Sequence, residues 1–263
     1  MSPRVHVRAA RAADLPLLQP WLRPGAARAL PAADARTEAW LVAAGAGDQP
    51  LACLRLRHVI GLDLPRHWYH AGWVVHAAPE LGLFQRLQTL QLGNDLTGAS
   101  ELADIAWQPM LDRAGQARVL APLLRGAIAM LRGGMPLPGA LPLLIAELPG
   151  RRDADGRSPF WQGLGRPFHD GDPAQAAQQL GPAWRSHVAA LMPRQPVYAA
   201  FLPPGAQAAI GQADPAQAVL ADLLGAAGLR PDGHVTIDDG GPVLTAPLQA
   251  LVPPPTPTAP PPA

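Results

Sequence analysis

Hydrophobic and polar positions change period several times along this chain, and each change marks out an element. Residues 4–10, RVHVRAA, alternate as a strand does. Asp14 then stands as the N-cap of a helix over 15–22, with Pro16 in its first turn and Pro20 ending or kinking it. The Ala-rich segment 33–44 reads as a helix. Next, LACLRLRHVI at 51–60 alternates apolar residues with Arg55, Arg57 and His58, the pattern of a strand whose one wet face would leave these cations solvated.

The middle of the chain is organised around 61–101. A strand over 72–76, a turn through Pro79 and an apolar run over 81–92 lead into a polar loop, Asn94-Asp95-Leu96-Thr97-Gly98. Polar loops framed by buried elements are where function tends to sit. A strand at 103–106 then leads through Asp112-Arg113-Ala114-Gly115-Gln116-Ala117 into an apolar helix over 119–131, which the Gly133-Gly134-Met135-Pro136 turn breaks. Residues 141–148 read as another strand. In GRSPFWQGLG, 156–165, Ser158 is expected as an N-cap, Pro159 at the first helical position, Phe160 and Trp161 in the core, and Gly165 as the stop. Residues 170–187 read as a surface connection with a short helix. Asp214 and Pro215 open a helix through Ala227 with Gly228 left-handed at its end, and 235–246 form a hairpin around Asp239-Gly240-Gly241.

Composition narrows the chemistry. With 263 residues, 48% of them hydrophobic, the chain can build one large domain or two small ones. All 21 basic side chains are arginine, which clamps carboxylates and phosphates but offers no amine for Schiff-base chemistry. A net charge of +1 gives no electrostatic ground for a nucleic-acid or membrane partner. The single cysteine, Cys53, excludes an intrachain disulfide and a multi-thiolate zinc site, and His67 and His70 lack a third ligand, so no metal is expected. No apolar run reaches the ~18 residues of a membrane span, and the first residues lack a signal-peptide core, so a cytoplasmic protein is expected.

The segment 61–102 carries more than a pattern. It meets GL-x-x-P-x-x-x-Y-x-x-G-x-x-V-H-A-x-x-E-L with Gly61, Leu62, Pro65, Tyr69, Gly72, Val75, His76, Ala77, Glu80 and Leu81. It then meets NDxTG and SEL with Asn94, Asp95, Thr97, Gly98, Ser100, Glu101 and Leu102. In these residues it resembles the arginine N-succinyltransferase family, and blocks at 156–165 and 191–212 extend the resemblance over most of 5–248. The resemblance implies an α/β acyl-CoA N-acyltransferase (GNAT-like) fold, a mixed sheet with flanking helices. The pattern permits two related acyltransferase-like halves, 1–150 and 151–252, ahead of a Pro-rich disordered tail at 253–263. The implied reaction moves the succinyl group of succinyl-CoA to the amine of arginine. The implied partners are those two small molecules and an oligomer of identical or related subunits.

Site residues follow from the same resemblance. The family's proton donor, the histidine of GQ-x-HP, falls on Asp214, which is the catalytic candidate and, on its own chemistry, equally a helix cap. The acyl-CoA position after SEL falls on Ile105. Gly115 and Ala117 match the small residues with which such enzymes bring backbone N–H groups to the CoA pyrophosphate, with Asp112 in place of the usual Arg or Gln. Asp95 and Glu101 are candidates for guanidinium recognition, with Glu147 and Asp239 behind them, and His76, Asn94 and Thr97 complete the substrate candidates. Two other readings stay open here: a non-catalytic homologue serving as partner subunit or metabolite binder, and an acyltransferase with a different amine substrate.

Overall fold

The computed structural model describes residues 5–23, 26, 37–134 and 137–255. Residues 33–36 of the expected helix, Met135 and Pro136 of the expected turn, and 256–263 of the expected tail lie outside them. Ten strands run in chain order: His6–Ala9 (β1), Glu38–Ala44 (β2), Pro50–Arg57 (β3), Trp68–Ala78 (β4), Leu83–Gly93 (β5), Ser100–Trp107 (β6), Leu143–Glu147 (β7), Val197–Tyr198 (β8), Arg230–Val235 (β9) and Pro242–Pro247 (β10). They form one sheet in the order β1-β2-β3-β6-β7-β10-β9-β4-β5-β8. Every pair is antiparallel except β6 with β7. The α-helices are Leu15–Leu18 (α1), Arg113–Gly133 (α2), Pro173–Leu180 (α3), Trp184–Leu191 (α4), Pro204–Ala209 (α5) and Ala218–Ala226 (α6).

Burial decides where local preference and final structure part. Residues 38–44, expected in a helix, form β2, because Trp40, Val42 and Ala44 enter one core cluster while Leu41 and Ala43 enter another. A segment buried on both faces between two strands gains more from the sheet than alanine gains from a helix. Asp14 does not cap α1 either. It ends a 3₁₀ turn, and its carboxylate accepts from the Arg11 backbone N–H at 2.7 Å and from both ends of the Arg8 guanidinium at 2.6 and 2.9 Å.

The main core lies under α2. Val119, Leu120, Leu123, Leu124, Ala127 and Ile128 fall on one helical face, and all are fully buried against β2, β3 and α6. A second core covers the other end of the sheet, where Phe160, Trp161, Leu164, Trp184 and Val188 meet Tyr69 and Leu90. The expected surface connection at 170–187 therefore holds α3 and the start of α4, with Trp184 packed inward. Ser158 Oγ accepts from the Trp161 N–H at 3.0 Å, as its sequence context predicts. The helical turn Trp161–Gly165 ends at Gly165, as expected, with Arg166 as its C-cap; a Cβ on Gly165 would come within 2.2 Å of the Trp161 indole, so only glycine fits.

Strands from both sides of residue 150 interleave, because β7 pairs with β10 and β4 with β9. The two expected halves thus share one sheet. The run 81–92, expected as a buried element, is one arm of a long hairpin: β4 and β5 pair without a break from Trp68↔Gly93 to Ala78↔Leu83, and the outer part is exposed. The expected hairpin near the C-terminal end is present as β9 and β10. Most consequential is the parallel pair. β6 and β7 are paired only from Ser100↔Leu144 to Leu102↔Ala146, after which β6 runs on to Trp107 and β7 ends. A bulge accompanies the parting, with Asp104 at φ +48°.

Because α2 carries the main core on one face, Leu120→Ala is expected to cost about 3 kcal/mol of stability, the usual range for a buried leucine. Urea unfolding followed by circular dichroism should show a lower midpoint at unchanged slope.

Candidate functional site

Where β6 and β7 part, a cavity of about 480 Å³ opens. That is the size of a small-molecule site. One wall is β6 from Glu101 to Trp107, whose backbone beyond Leu102 has no ladder partner on the β7 side. Leu62, Leu64, Trp107 and Trp184 supply apolar surface, and among the described residues five arginines (23, 55, 57, 66 and 185) and five carboxylates (63, 101, 104, 147 and 238) supply charge.

Most of these charges are locked together. Glu147, at the end of β7, accepts from Arg66 at 2.5 Å, from the Trp68 indole N–H at 2.7 Å and from Arg185 at 2.6 Å. Burial alone would raise its pKa, but the charges of Arg185 and Arg66 hold the carboxyl well below its usual range. Arg66 also donates to Glu101 at 2.7 Å and lies over the Trp68 ring. Arg185 reaches Asp238 at 3.4 Å. Next to this network, Arg55 is held between Glu38 and Asp104. Burial pushes the carboxyls of Asp104 and Asp238 up despite their arginine partners. Arg57 is less committed than Arg55, Arg66 and Arg185, with one hydrogen bond, 3.2 Å to Glu101, and 29% of its side chain exposed.

A second polar cluster lies outside the cavity lining. His234 on β9 places Nδ1 2.8 Å from Asp232 and Nε2 2.8 Å from Asp95, clasping the loop after β5 to β9, with the His70 ring 5.1 Å away. Burial pulls the His234 pKa down, but the two carboxylates outweigh it and the net shift is upward. Among the described residues no group of three or more His, Cys, Asp and Glu is placed to hold a metal ion. Cys53 is fully buried, and burial pushes its thiol up to about 12. It is therefore inert as a nucleophile at neutral pH.

Of the residues singled out in the sequence, Glu101, Ile105 and Glu147 line the cavity. Asp214 stands at its edge: its backbone N–H donates to the carbonyl of Pro149, a wall residue, while its carboxylate accepts from the Ala216 N–H at 2.8 Å as a cap. Gly115 and Ala117 lie at the start of α2. There Asp112 accepts from the Gly115 N–H at 2.7 Å, so a carboxylate already holds the donor that a phosphate would need. Asn94, Asp95 and Thr97 sit in the turn after β5, with Thr97 Oγ1 buried and without a hydrogen-bond partner. Asp239 is buried in the β9–β10 turn, where Thr236 Oγ1 donates to it at 2.6 Å. His76 stands apart on the exposed hairpin, ~20 Å along β4 from His70.

Sequence reasoning passed over Arg66, Arg185, Asp104 and Asp238, and expected Arg55 and Arg57 to be solvated. A signal existed for the last two. Arg55 and Arg57 alternate with Leu54 and Leu56 on a strand with neighbours on both sides, so cations there need carboxylates across the ladder. Glu38 on β2 and Glu101 on β6 both stand opposite Arg57 in the register, two positions from the partners of Arg55.

A mixed sheet opened between two parallel central strands, with a long helix after the first of them, is the GNAT-like acyl-CoA N-acyltransferase fold. The arginine/ornithine succinyltransferase subunit AI from Pseudomonas aeruginosa shares it, with a TM-score of 0.72 and 23% identity over 95% of this chain and 78% of that one. Residues 46–252 match the family model described as AstA, arginine N-succinyltransferase beta subunit. The arginine N-succinyltransferase of Enterobacter sp. (strain 638) is 36% identical over 185 residues, 70% of this chain, and that of Yersinia enterocolitica is 36% identical over 187 residues, 71% of this chain. The chain belongs to the arginine N-succinyltransferase family. It spans about half the length of the curated relatives it matches, 52% and 53% of these two.

Two outcomes follow from the charge geometry. Arg66→Met removes the cation between Glu101 and Glu147 and is expected to cost about 3–5 kcal/mol, the penalty for stranding one side of a buried pair; urea unfolding measures it. For His234, whose folded pKa is raised, the stabilisation is complete below the unfolded value of ~6.5 and is lost as pH rises through the folded value. The stability difference between wild type and His234→Gln should therefore be largest near about pH 5.5 and shrink toward about pH 9.

Proposed function

We propose that this chain transfers the succinyl group of succinyl-CoA to the amine of arginine, using the cavity at the parting of β6 and β7. The observation that carries the reading is that cavity's lining, which sets bare strand backbone beside charges of both signs. An extended amide chain such as the pantetheine arm can pair with the unladdered edge of β6 around Ile105, and a free backbone N–H there can take the thioester carbonyl as it gains charge. Arg57 has donors to spare for the succinyl carboxylate. Glu101 and Asp238 face the same space with the charge a guanidinium needs. Asp238, whose pKa burial raises, is the carboxylate suited to take the proton that the attacking amine loses. In the reaction the new C–N bond forms as the C–S bond breaks, and the amine's proton ends on the departing CoA thiol.

The pyrophosphate is the part of the donor that fits least well. Asp112 occupies the Gly115 N–H and would repel it, which favours, as a second reading, a homologue that binds a metabolite or partner without catalysis. The description of the Pseudomonas protein as a subunit supports reading this chain too as part of an oligomer. No helix of the described residues is long and apolar enough to cross a membrane.

Chromatographic measurement of CoA release from succinyl-CoA, with and without arginine, tests the main reading. Arginine-dependent release is expected, and Arg57→Met should raise KM for succinyl-CoA about tenfold or more, as loss of a charge-assisted hydrogen bond predicts. Asp214→Ala should keep release within a few-fold, because its carboxylate is engaged as a cap; a loss of about a hundredfold or more would instead assign it the proton transfer. No release, and no thermal protection by saturating succinyl-CoA, would leave the non-catalytic reading.

A further inference from the structure

Apart from the His76 ring, which lies 6.2 Å from that of Tyr198, the outer half of the β4–β5 hairpin is largely bare on both faces and along both edges. One face carries Trp73, Val75 and Phe84, the other Val74 and Leu83, with Leu81 at the tip; Phe84 is 77% and Leu81 80% exposed. β9 pairs with β4 only at Tyr69 and His70, and β8 pairs with β5 only at Thr89 and Leu90. From Trp73 outward, the outer edges of both strands have no ladder partner among the described residues. A two-stranded ribbon by itself is at best marginally stable in water. Natural edge strands are usually blunted by charge, proline or a bulge. Residues 72–78, GWVVHAA, contain no Arg, Lys, Asp, Glu or Pro, and their register with β5 is unbroken.

Charge, area and symmetry together select the occupant. The ribbon carries one acid, Glu80, and one base, Arg86, which is folded over the Trp73 ring at 4.2 Å, so nothing draws it to a nucleic acid or an anionic membrane surface. Its exposed apolar side chains, spread over both faces and the tip, amount to an area on the order of 600 Å², the upper end for a monomer's patch, and the uncharged β4 edge between those faces is where a further strand can add. An antiparallel pair of identical strands has a two-fold axis through its centre, so an uncharged bare edge is its own complement. We propose that two copies of this chain associate through this hairpin, their β4 edges pairing antiparallel about a two-fold axis that passes near Val75 and continues the sheet from one copy into the other. This deepens the reading of the chain as part of an oligomer and does not depend on succinyl transfer.

Sedimentation equilibrium of the full chain at about 1–50 μM tests it. Wild type is expected to dimerise. Val75→Lys, which brings like charges together at the axis, should weaken the dimer about a hundredfold with an unchanged circular dichroism spectrum, while Met110→Lys, elsewhere on the surface, should not. Should a lysine variant misfold, Val75→Cys gives a second readout: oxidation should produce a reducible cross-linked dimer, to which the buried Cys53 cannot contribute. A wild type that is monomeric at about 50 μM overturns pairing between identical copies. A dimer unmoved by the hairpin substitutions keeps an oligomer and overturns this surface. A chain that pairs only with a related, non-identical subunit overturns pairing between identical copies.

Discussion

Glu147 is the residue on which the arrangement of the site depends. It ends β7 at the point where that strand leaves β6, and its two oxygens take three donors from three parts of the chain. Arg66 comes from the segment ahead of the hairpin, Trp68 from the base of the hairpin, and Arg185 from α4. A single carboxylate thus ties the hairpin and the helical cover to the central strands. Buried ion pairs of this kind are rarely the most stable filling for a core, since apolar residues of similar volume often do as well or better. At an open strand split they supply the charges on which the proposed binding of charged ligands rests.

The same carboxylate explains why the sheet can part without collapse. Beyond Leu102 the β6 backbone faces the cavity rather than a neighbour, and backbone groups left unpaired against an apolar lining would be costly. Here the lining is polar where the backbone is bare, and the bulge at Asp104 turns a carboxylate toward Arg55 beside it. Charge, open backbone and local strain therefore coincide on one strand.

How much of this was legible in the sequence varies by the kind of signal. Periodicity gave α2, β3 and the β9–β10 hairpin, because each has one dominant face or a turn with defined backbone needs. It misjudged β2, where burial on both faces leaves no alternation to distinguish it from an alanine-rich helix. It also misjudged the 81–92 run, whose apolar residues are exposed, since hydrophobicity alone does not say whether a neighbour exists to cover them. In the site, Glu101 and Ile105 could be placed from the family pattern, whereas Arg66, Arg185 and Asp238 could not. Their partners are up to 81 positions away in the chain, and no local spacing reports such a pair. Asp214 shows the opposite case: it reads locally as a cap, and it hydrogen-bonds as one.

The arginine-only composition bears directly on the proposed chemistry. A thioester held in a closed site can be attacked by any neutral amine within reach, and a lysine whose pKa is lowered by burial would compete with the substrate. The guanidinium groups of Arg55, Arg57, Arg66 and Arg185 stay protonated and offer donors without offering a nucleophile. Cys53, the other side chain that a thioester could acylate, is buried behind β6 with its thiol held in the protonated form. The lining therefore offers charge of either sign, and in the proposed reaction the amine the acyl group meets is the acceptor's.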